Sequence, residues 1–313
     1  MPDFTVLIAD GLDESGQSIL RSSARVDNLQ GITPEKLLEV IDGYDALIVR
    51  GRTKVTKQVF NAAKKLKVVG RAGVGVDNID LESAKAHGVV VVNAPMSTTL
   101  AVAELTFGLM LALARNVPRA DSGMKQGHWL KKDLKGIELN GRTLGIVGVG
   151  RIGSELCKRA SAFDMKVLGY DPYISAKEIH QRGARPSSLS DIYDQADYIS
   201  LHLPLTDETH SMINEQAFRQ MKRGVRIVCA ARGGIIDEAA LLSALESGQV
   251  AGAALDVFET EPPGKSALVK HPNLIATPHI GAQTVESQSR AAIDIANEVL
   301  AVLKKKSLRW KVV

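Results

Sequence analysis

The sequence predicts an α/β protein built on two parallel sheets, from three observations. Short β-branched runs alternate along the whole chain with longer stretches of helical period. Most of these runs are apolar on both faces, as a strand covered by helices on either side must be. Ten such runs in 313 residues are too many for one small sheet and suit two domains of ordinary size.

In chain order the expected strands are Thr5–Ala9, Ala46–Val49, Val68–Gly70 and Val89–Val92. Then come Thr143–Val147, Lys166–Gly169, Tyr198–Leu203, Arg226–Cys229, Ala251–Leu255 and Leu274–Ala276. Helical stretches between them include Thr33–Ile41, Lys57–Lys65, Arg151–Phe163 and Glu238–Ser247. After Ala94-Pro95 a long apolar helix is expected from about Thr98 to Arg115, with Ser97 or Thr98 placed to cap it. A last helix is expected from about Thr284 to Lys304, where Lys304–Lys306 would complement its dipole. These breaks give a discontinuous domain, 1–96 plus 283–313, and an inserted one, 97–282.

Composition narrows the function. Hydrophobic residues make up 45% and charged residues 24%, too apolar for disorder. Lys plus Arg number 39 against 35 Asp plus Glu, and no long block carries one sign. That balance argues against a nucleic-acid partner and suits a small anionic substrate. The opening MPDFTVLIAD has no basic region or cleavage site of a signal peptide. The most membrane-like stretch, Leu105 to Ala114, is ten residues, where a span needs about 20. Cys157 and Cys229 lie 72 residues apart with no CxxC, so neither a disulfide framework nor a metal site is expected. A cytoplasmic protein without membrane contact is the expectation.

Gly148-Val149-Gly150-Arg151-Ile152-Gly153 reads GxGxxG. Its setting gives it weight: it follows an apolar strand, opens a helix, and precedes a strand ending at Asp171, 18 residues after Gly153. The first two glycines permit a tight turn and close approach of backbone to a pyrophosphate, and the third lets the helix pack on the strand. The helix amino end then faces the phosphates. Asp171 would accept from ribose hydroxyls and repel a 2′-phosphate, which favours NAD over NADP. The inserted domain is therefore expected to be Rossmann-like.

Arg232, Glu261 and His279 each follow a strand, where open α/β sheets place their ligands. Reduction of a 2-keto acid needs a cation to hold the carboxylate and an acid to protonate the carbonyl oxygen. A guanidinium binds a carboxylate bidentately, and an imidazole exchanges protons near neutral pH. A carboxylate beside the imidazole stabilises its charged form.

The strings Ala231-Arg232-Gly233-Gly234-Ile235-Ile236-Asp237, Asp256-Val257-Phe258-Glu259-Thr260-Glu261-Pro262 and Thr277-Pro278-His279-Ile280-Gly281-Ala282 resemble the D-isomer-specific 2-hydroxyacid dehydrogenases. The resemblance covers essentially the whole chain. It implies two domains, one Rossmann-like and one flavodoxin-like, with the active site in the cleft between them. It implies His279 as acid/base, Glu261 as its partner and Arg232 as the substrate anchor. It also implies that Leu203, Pro204, Ala230, Asp256, Gly281 and Ala282 line the cofactor beside the glycine-rich turn.

Gly70-Arg71-Ala72-Gly73-Val74-Gly75-Val76-Asp77 and Gly141-Arg142-Thr143-Leu144-Gly145-Ile146 resemble the branch of that family acting on phosphorylated D-3-phosphoglycerate. Arg50 and Arg71 then match substrate-contacting arginines, with Lys131 reaching toward a partner subunit's site. The amides of Gly73 and Val74 could form a small nest for the carboxylate. An unphosphorylated 2-keto acid such as glyoxylate or hydroxypyruvate is the alternative substrate, and an NAD-sensing scaffold the alternative class. Cys229, Met96–Thr99, Val74 and Leu203 depart from the family's usual residues. With the last helix followed so closely by residue 313, no regulatory domain and no serine feedback through one are expected. Trp129 lies in an excursion resembling the family's dimer arm, where an exposed indole would anchor a homodimer. His202 reads as packing or cofactor-adjacent and His210 as a loop residue.

Overall fold

Where an apolar run can be covered on both faces, it forms a strand in the computed structural model, which describes residues 4–313. Met1–Asp3, the start of the expected first domain, lie outside the described residues. The chain divides into two units, Met1–Thr99 with Ala282–Val313 and Leu100–Gly281.

The first unit opens with β1 (Phe4–Ile8), α1 (Glu14–Arg21), β2 (Ala24–Asn28), α2 (Pro34–Val40), β3 (Ala46–Val49), α3 (Lys57–Ala62), β4 (Val68–Arg71), α4 (Leu81–Ala86) and β5 (Val90–Asn93). Its five strands are parallel in the order β2-β1-β3-β4-β5. Asp13 caps α1 by accepting from the Ser15 amide, and Asp80 caps α4 through the Ser83 amide. Each cap satisfies one of the free amides that every helix leaves at its start. On one sheet face Leu7, Leu47, Val49 and Val69 pack with Phe60, Leu37 and Ala84. The other face meets Ile295, Ala296 and Val299 of the closing helix. Each valine, leucine, isoleucine or phenylalanine among them contributes about 1.5–3 kcal/mol on burial.

The second unit contains most of α5 (Thr99–Arg115), then α6 (Val117–Lys125), β6 (Thr143–Val147), α7 (Arg151–Ala162), β7 (Lys166–Tyr170), α8 (Ala176–Gln181), β8 (Arg185–Pro186), α9 (Leu189–Gln195) and β9 (Tyr198–Leu201). There follow α10 (Glu215–Gln220), β10 (Val225–Cys229), α11 (Glu238–Glu246), β11 (Val250–Leu255), α12 (Ala267–Lys270) and β12 (Leu274–Ala276). The chain then returns to the first unit with α13 (Val285–Leu303), capped by Thr284. The second sheet is parallel in the order β12-β11-β10-β9-β6-β7-β8. The register aligns the ends of three neighbours, Cys229 with Leu255 and Leu255 with Ala276. The loops that leave β10, β11 and β12 therefore start at one level. Among the described residues no single helix is long and apolar enough to cross a membrane.

One detail differs from expectation. The edge strands β2 and β8 are additions to the expected set, because Arg25 and Asp27 interrupt one apolar run and the other is two residues long. Of the two expected caps of α5, Thr98 stands at the position before Thr99 and Ser97 one residue outside it, where its hydroxyl donates to the Ala94 carbonyl at 2.8 Å and its carbonyl accepts from Arg290.

Candidate active site

The turn after β6 is shaped for close approach. Gly148 has φ +94°, and a Cβ there would collide with the His202 carbonyl. Its amide donates to the Tyr170 carbonyl at 2.8 Å, and the next amide, of Val149, donates to Asp171 Oδ2 at 3.0 Å. A Cβ on Gly153 would strike the Gly148 carbonyl, so only glycine lets α7 sit this close to the turn. Gly150 stands at the helix amino end with open space where its side chain would be. A cradle with backbone at its floor and the positive end of a twelve-residue helix at its mouth fits a dinucleotide pyrophosphate. Arg151 and Ile152 begin α7, and Leu203 and Pro204 leave β9, two strands away from β7 with β6 between them.

In the same unit, Arg232, Glu261 and His279 follow the aligned ends of β10, β11 and β12. His279 Nδ1 lies 2.8 Å from Glu261 Oε2, and Glu261 Oε1 accepts from the Phe258 amide at 3.1 Å. The carboxylate is thus held on one side by backbone and holds the imidazole on the other, leaving Nε2 for chemistry. Both side chains remain partly exposed, at 51% and 38%, so a substrate can reach the ring. Arg232 Nη1 donates to the Ala231 carbonyl at 2.6 Å, which orients its guanidinium from within its own loop.

The backbone of His279 is left-handed, φ +52°, a conformation costing a non-glycine residue about 1–2 kcal/mol. Asp256, 1% exposed, holds it there. Its carbonyl accepts the His279 amide at 2.9 Å. Its carboxylate accepts Thr277 Oγ1 at 2.6 Å and the amides of Ile280 and Gly281 at 2.8 Å each. Expected as a cofactor contact, Asp256 is bonded to the histidine turn on three of its roughly four acceptor positions. Ala230 and Gly281 lie in the same two loops, and Ala282 is the first residue past the boundary of the unit.

In the first unit, Arg50 follows β3 and Arg71 ends the adjacent β4, with Val49 opposite Arg71. Asp10 organises this edge, a role that sequence reasoning misses. It accepts the amides of Arg50 and Thr53 at 2.8 and 3.1 Å and the Thr53 hydroxyl at 2.5 Å, and it pairs with Arg52 at 3.2 Å. Burial pushes the Asp10 carboxyl up, but the hydrogen bonds of Thr53 and Arg50 and the Arg52 charge together hold it below the usual range. Arg50 also reaches Gln283 Oε1 at 3.4 Å, and its carbonyl accepts from Asn78. The expected nest of Gly73 and Val74 is not open on both amides, because the Gly73 amide donates to the Arg71 carbonyl at 2.8 Å. Gly73 has φ +150°, a backbone conformation that other residues rarely adopt, and the Arg71 guanidinium lies where a side chain would start.

Lys131 and Trp129 stand exposed in the segment after α6, the indole at 77%. His202 Nε2 lies 2.9 Å from the Ser200 hydroxyl while Nδ1 is enclosed, and burial pushes the imidazole down to about 4. His210 is exposed in its loop. Cys229 is buried with Sγ 3.8 Å from the Arg232 carbonyl, and burial raises its thiol to about 11.

Residues 107–281 match the family described as D-isomer specific 2-hydroxyacid dehydrogenase, NAD binding domain. The chain is 49% identical over 304 residues to the D-3-phosphoglycerate dehydrogenase of Rattus norvegicus, 97% of this chain and 57% of that protein. It thus spans little more than half the length of that relative. Among solved structures it resembles the TT0316 protein of Thermus thermophilus, with TM-score 0.90 and 36% identity over 99% of this chain and 100% of that one. A glyoxylate reductase from Paecilomyes thermophila gives TM-score 0.90 and 31% identity over 100% and 99%. A strand-end arginine, glutamate and histidine in one parallel sheet, a dinucleotide cradle beside them and these likenesses lead to one assignment: the chain belongs to the D-isomer-specific 2-hydroxyacid dehydrogenase family.

Proposed function

We propose that the protein is an NAD-dependent dehydrogenase that oxidises D-3-phosphoglycerate to 3-phosphohydroxypyruvate, the first step of serine synthesis. The observation that carries the reading is the Glu261–His279 contact at 2.8 Å, which leaves the imidazole Nε2 free to take the substrate's hydroxyl proton. Glu261 fixes the ring and stabilises its charge, and Arg232 holds the carboxylate. Bound in the cradle of Gly148, Gly150, Arg151, Ile152 and Gly153, NAD supplies the acceptor for the hydride that leaves C2. Arg50 and Arg71 serve the substrate's phosphate, and the likeness to D-3-phosphoglycerate dehydrogenase supports that choice. Trp129 and Lys131 serve a homodimer contact, and two buried unpaired thiols suit a reducing cytoplasm.

The test is NADH oxidation at 340 nm with 3-phosphohydroxypyruvate, hydroxypyruvate, glyoxylate and pyruvate. A kcat/KM at least about a hundredfold higher for the phosphorylated acid, roughly 2.7 kcal/mol of discrimination, is expected. Equal rates with small keto acids would support the reductase reading favoured by the likeness to a glyoxylate reductase. NADH binding without turnover of any of them would favour a scaffold. Trp129→Ala should shift the protein from dimer to monomer in sedimentation.

A further inference from the structure

Two exposed side chains beside the dinucleotide cradle have no part in the chemistry above. In the strand order β9-β6-β7, the loops leaving β7 and β9 flank the turn that leaves β6. Tyr173 lies on the first loop and Glu208 on the second, and the Tyr173 hydroxyl donates to Glu208 Oε2 at 3.3 Å. The bond therefore joins the two flanks across the end of β6. Tyr173 also donates its amide to Asp171 Oδ1 at 3.0 Å, so one residue links both carboxylates at this rim. Tyr173 is 80% exposed, so its ring is open to a ligand. The Glu208 charge first and its hydrogen bond next, with Asp171 adding to them, hold the Tyr173 phenol above its usual range.

The Glu208 side chain is exposed. Its loop is cross-tied by Thr206 and Thr209, with the Thr209 hydroxyl donating to the Pro204 carbonyl at 2.7 Å and the Thr206 amide donating to the Thr209 hydroxyl at 2.8 Å. The same rim holds a cation: Arg182 donates to the Val149 carbonyl at 2.7 Å. A guanidinium there attracts a phosphate, so Asp171 alone has an opponent.

We propose that Glu208, positioned by Tyr173, is a second carboxylate that with Asp171 sets the preference for NAD over its 2′-phosphorylated form, and that the Tyr173 ring is the platform for the adenine. The inference rests on the dinucleotide reading of the cradle. At a separation on the order of 8 Å in a water-like dielectric and about 0.01 M salt, a carboxylate opposes binding of a dianionic phosphate roughly 3–5-fold, and salt screens the effect. An aromatic platform adds to the affinity of either dinucleotide alike.

The test is calorimetric titration of the full chain with NADH and with NADPH, which needs no turnover. At about 0.01 M salt Glu208→Gln is expected to tighten NADPH roughly 3–5-fold with NADH within about twofold of wild type, and the NADPH gain should shrink as salt is raised. Tyr173→Phe keeps the ring and releases Glu208, so NADPH should gain by a smaller factor and NADH should not change. Tyr173→Ala should weaken both. Unchanged NADPH affinity in Glu208→Gln, with NADH binding normally, overturns the role of Glu208; unchanged affinities in Tyr173→Ala overturn the platform. Failure of the wild-type chain to bind NADH overturns the dinucleotide reading itself, and this inference with it. Both side chains are exposed, and thermal melts check that each variant stays folded.

Discussion

Replacing Asp256 by alanine tests whether the histidine turn is held by one buried carboxylate. The substitution removes the acceptor for the Thr277 hydroxyl and for the amides of Ile280 and Gly281. Hydrogen bonds to a charged group contribute about 1.5–3 kcal/mol each, so three would sum to roughly 4.5–9 kcal/mol. Water entering the polar space recovers part of that, which brings the expected destabilisation to about 3–5 kcal/mol. The left-handed His279 then loses the contacts that offset its strain, relaxes, and leaves its 2.8 Å contact with Glu261. A misplacement on the order of 1 Å costs about a hundredfold in rate. Urea denaturation measures the first effect and NADH oxidation with 3-phosphohydroxypyruvate the second, with NADH affinity as the control. Asp256→Asn, which keeps one acceptor oxygen, should fall between. An alanine variant with an unchanged midpoint and a rate within threefold of wild type would refute the clamp.

Three further outcomes follow from buried groups. His202 is pushed down to about 4 by burial, so between that value and 6.5 the unfolded chain binds a proton that the folded one refuses. Stability should therefore fall as pH drops below 6.5, by about 2 kcal/mol at pH 5, and be insensitive to this group above 6.5. His202→Gln should flatten the slope; urea midpoints at pH 7.5 and 5.0 with the same difference in both proteins would remove the assignment. Asp45 is pushed up by burial but brought down to about 2 by the Thr5 amide and hydroxyl, Lys65 and Lys67. Its stabilisation is present above pH 3.8 and lost as pH falls through about 2. Since the lysines are half exposed, Asp45→Asn should cost only about 1 kcal/mol at pH 7, and thermal melts should show the gap closing toward pH 2. Gly153→Ala drives a methyl into the Gly148 carbonyl, so α7 must move. A loss of about 1–3 kcal/mol is expected, with NADH binding at least about tenfold weaker by calorimetry; a variant that binds NADH normally would show that the helix has room.

The fold class is legible because central parallel strands such as Ala46–Val49, buried at every position, must be apolar on both faces. Edge strands escape that rule: β2 is paired on one side only, so Arg25 and Asp27 can point outward and form an ion pair at 2.7 Å. At the site, the residues that follow strand ends are legible because chemistry demands particular side chains there. The residues that hold them in place are not. Asp10 reads as an ordinary turn aspartate and Asp256 as a cofactor contact, and only the folded loops show how many donors converge on each. The Gly73 amide likewise looks available until the backbone turns it back on Arg71.

The closing helix α13 has a consequence in time. Val6, Ile8, Ile48 and Val68 are covered by Ile295, Ala296 and Val299, and Ser15 meets Ser289 across 274 residues of chain. The first sheet is thus synthesised early and sealed late. During synthesis the 182 residues from Leu100 to Gly281 come between, which at about 5–20 residues per second leaves that apolar face open for roughly 10–35 s. The inserted unit is continuous in sequence and need not wait. A chain cut after Gly281 should therefore show Leu100–Gly281 resistant to protease and the preceding segment digested. Equal protection of both would mean that the early strands close without their last helix. On the ribosome, the part of this protein made first is the part that finishes last.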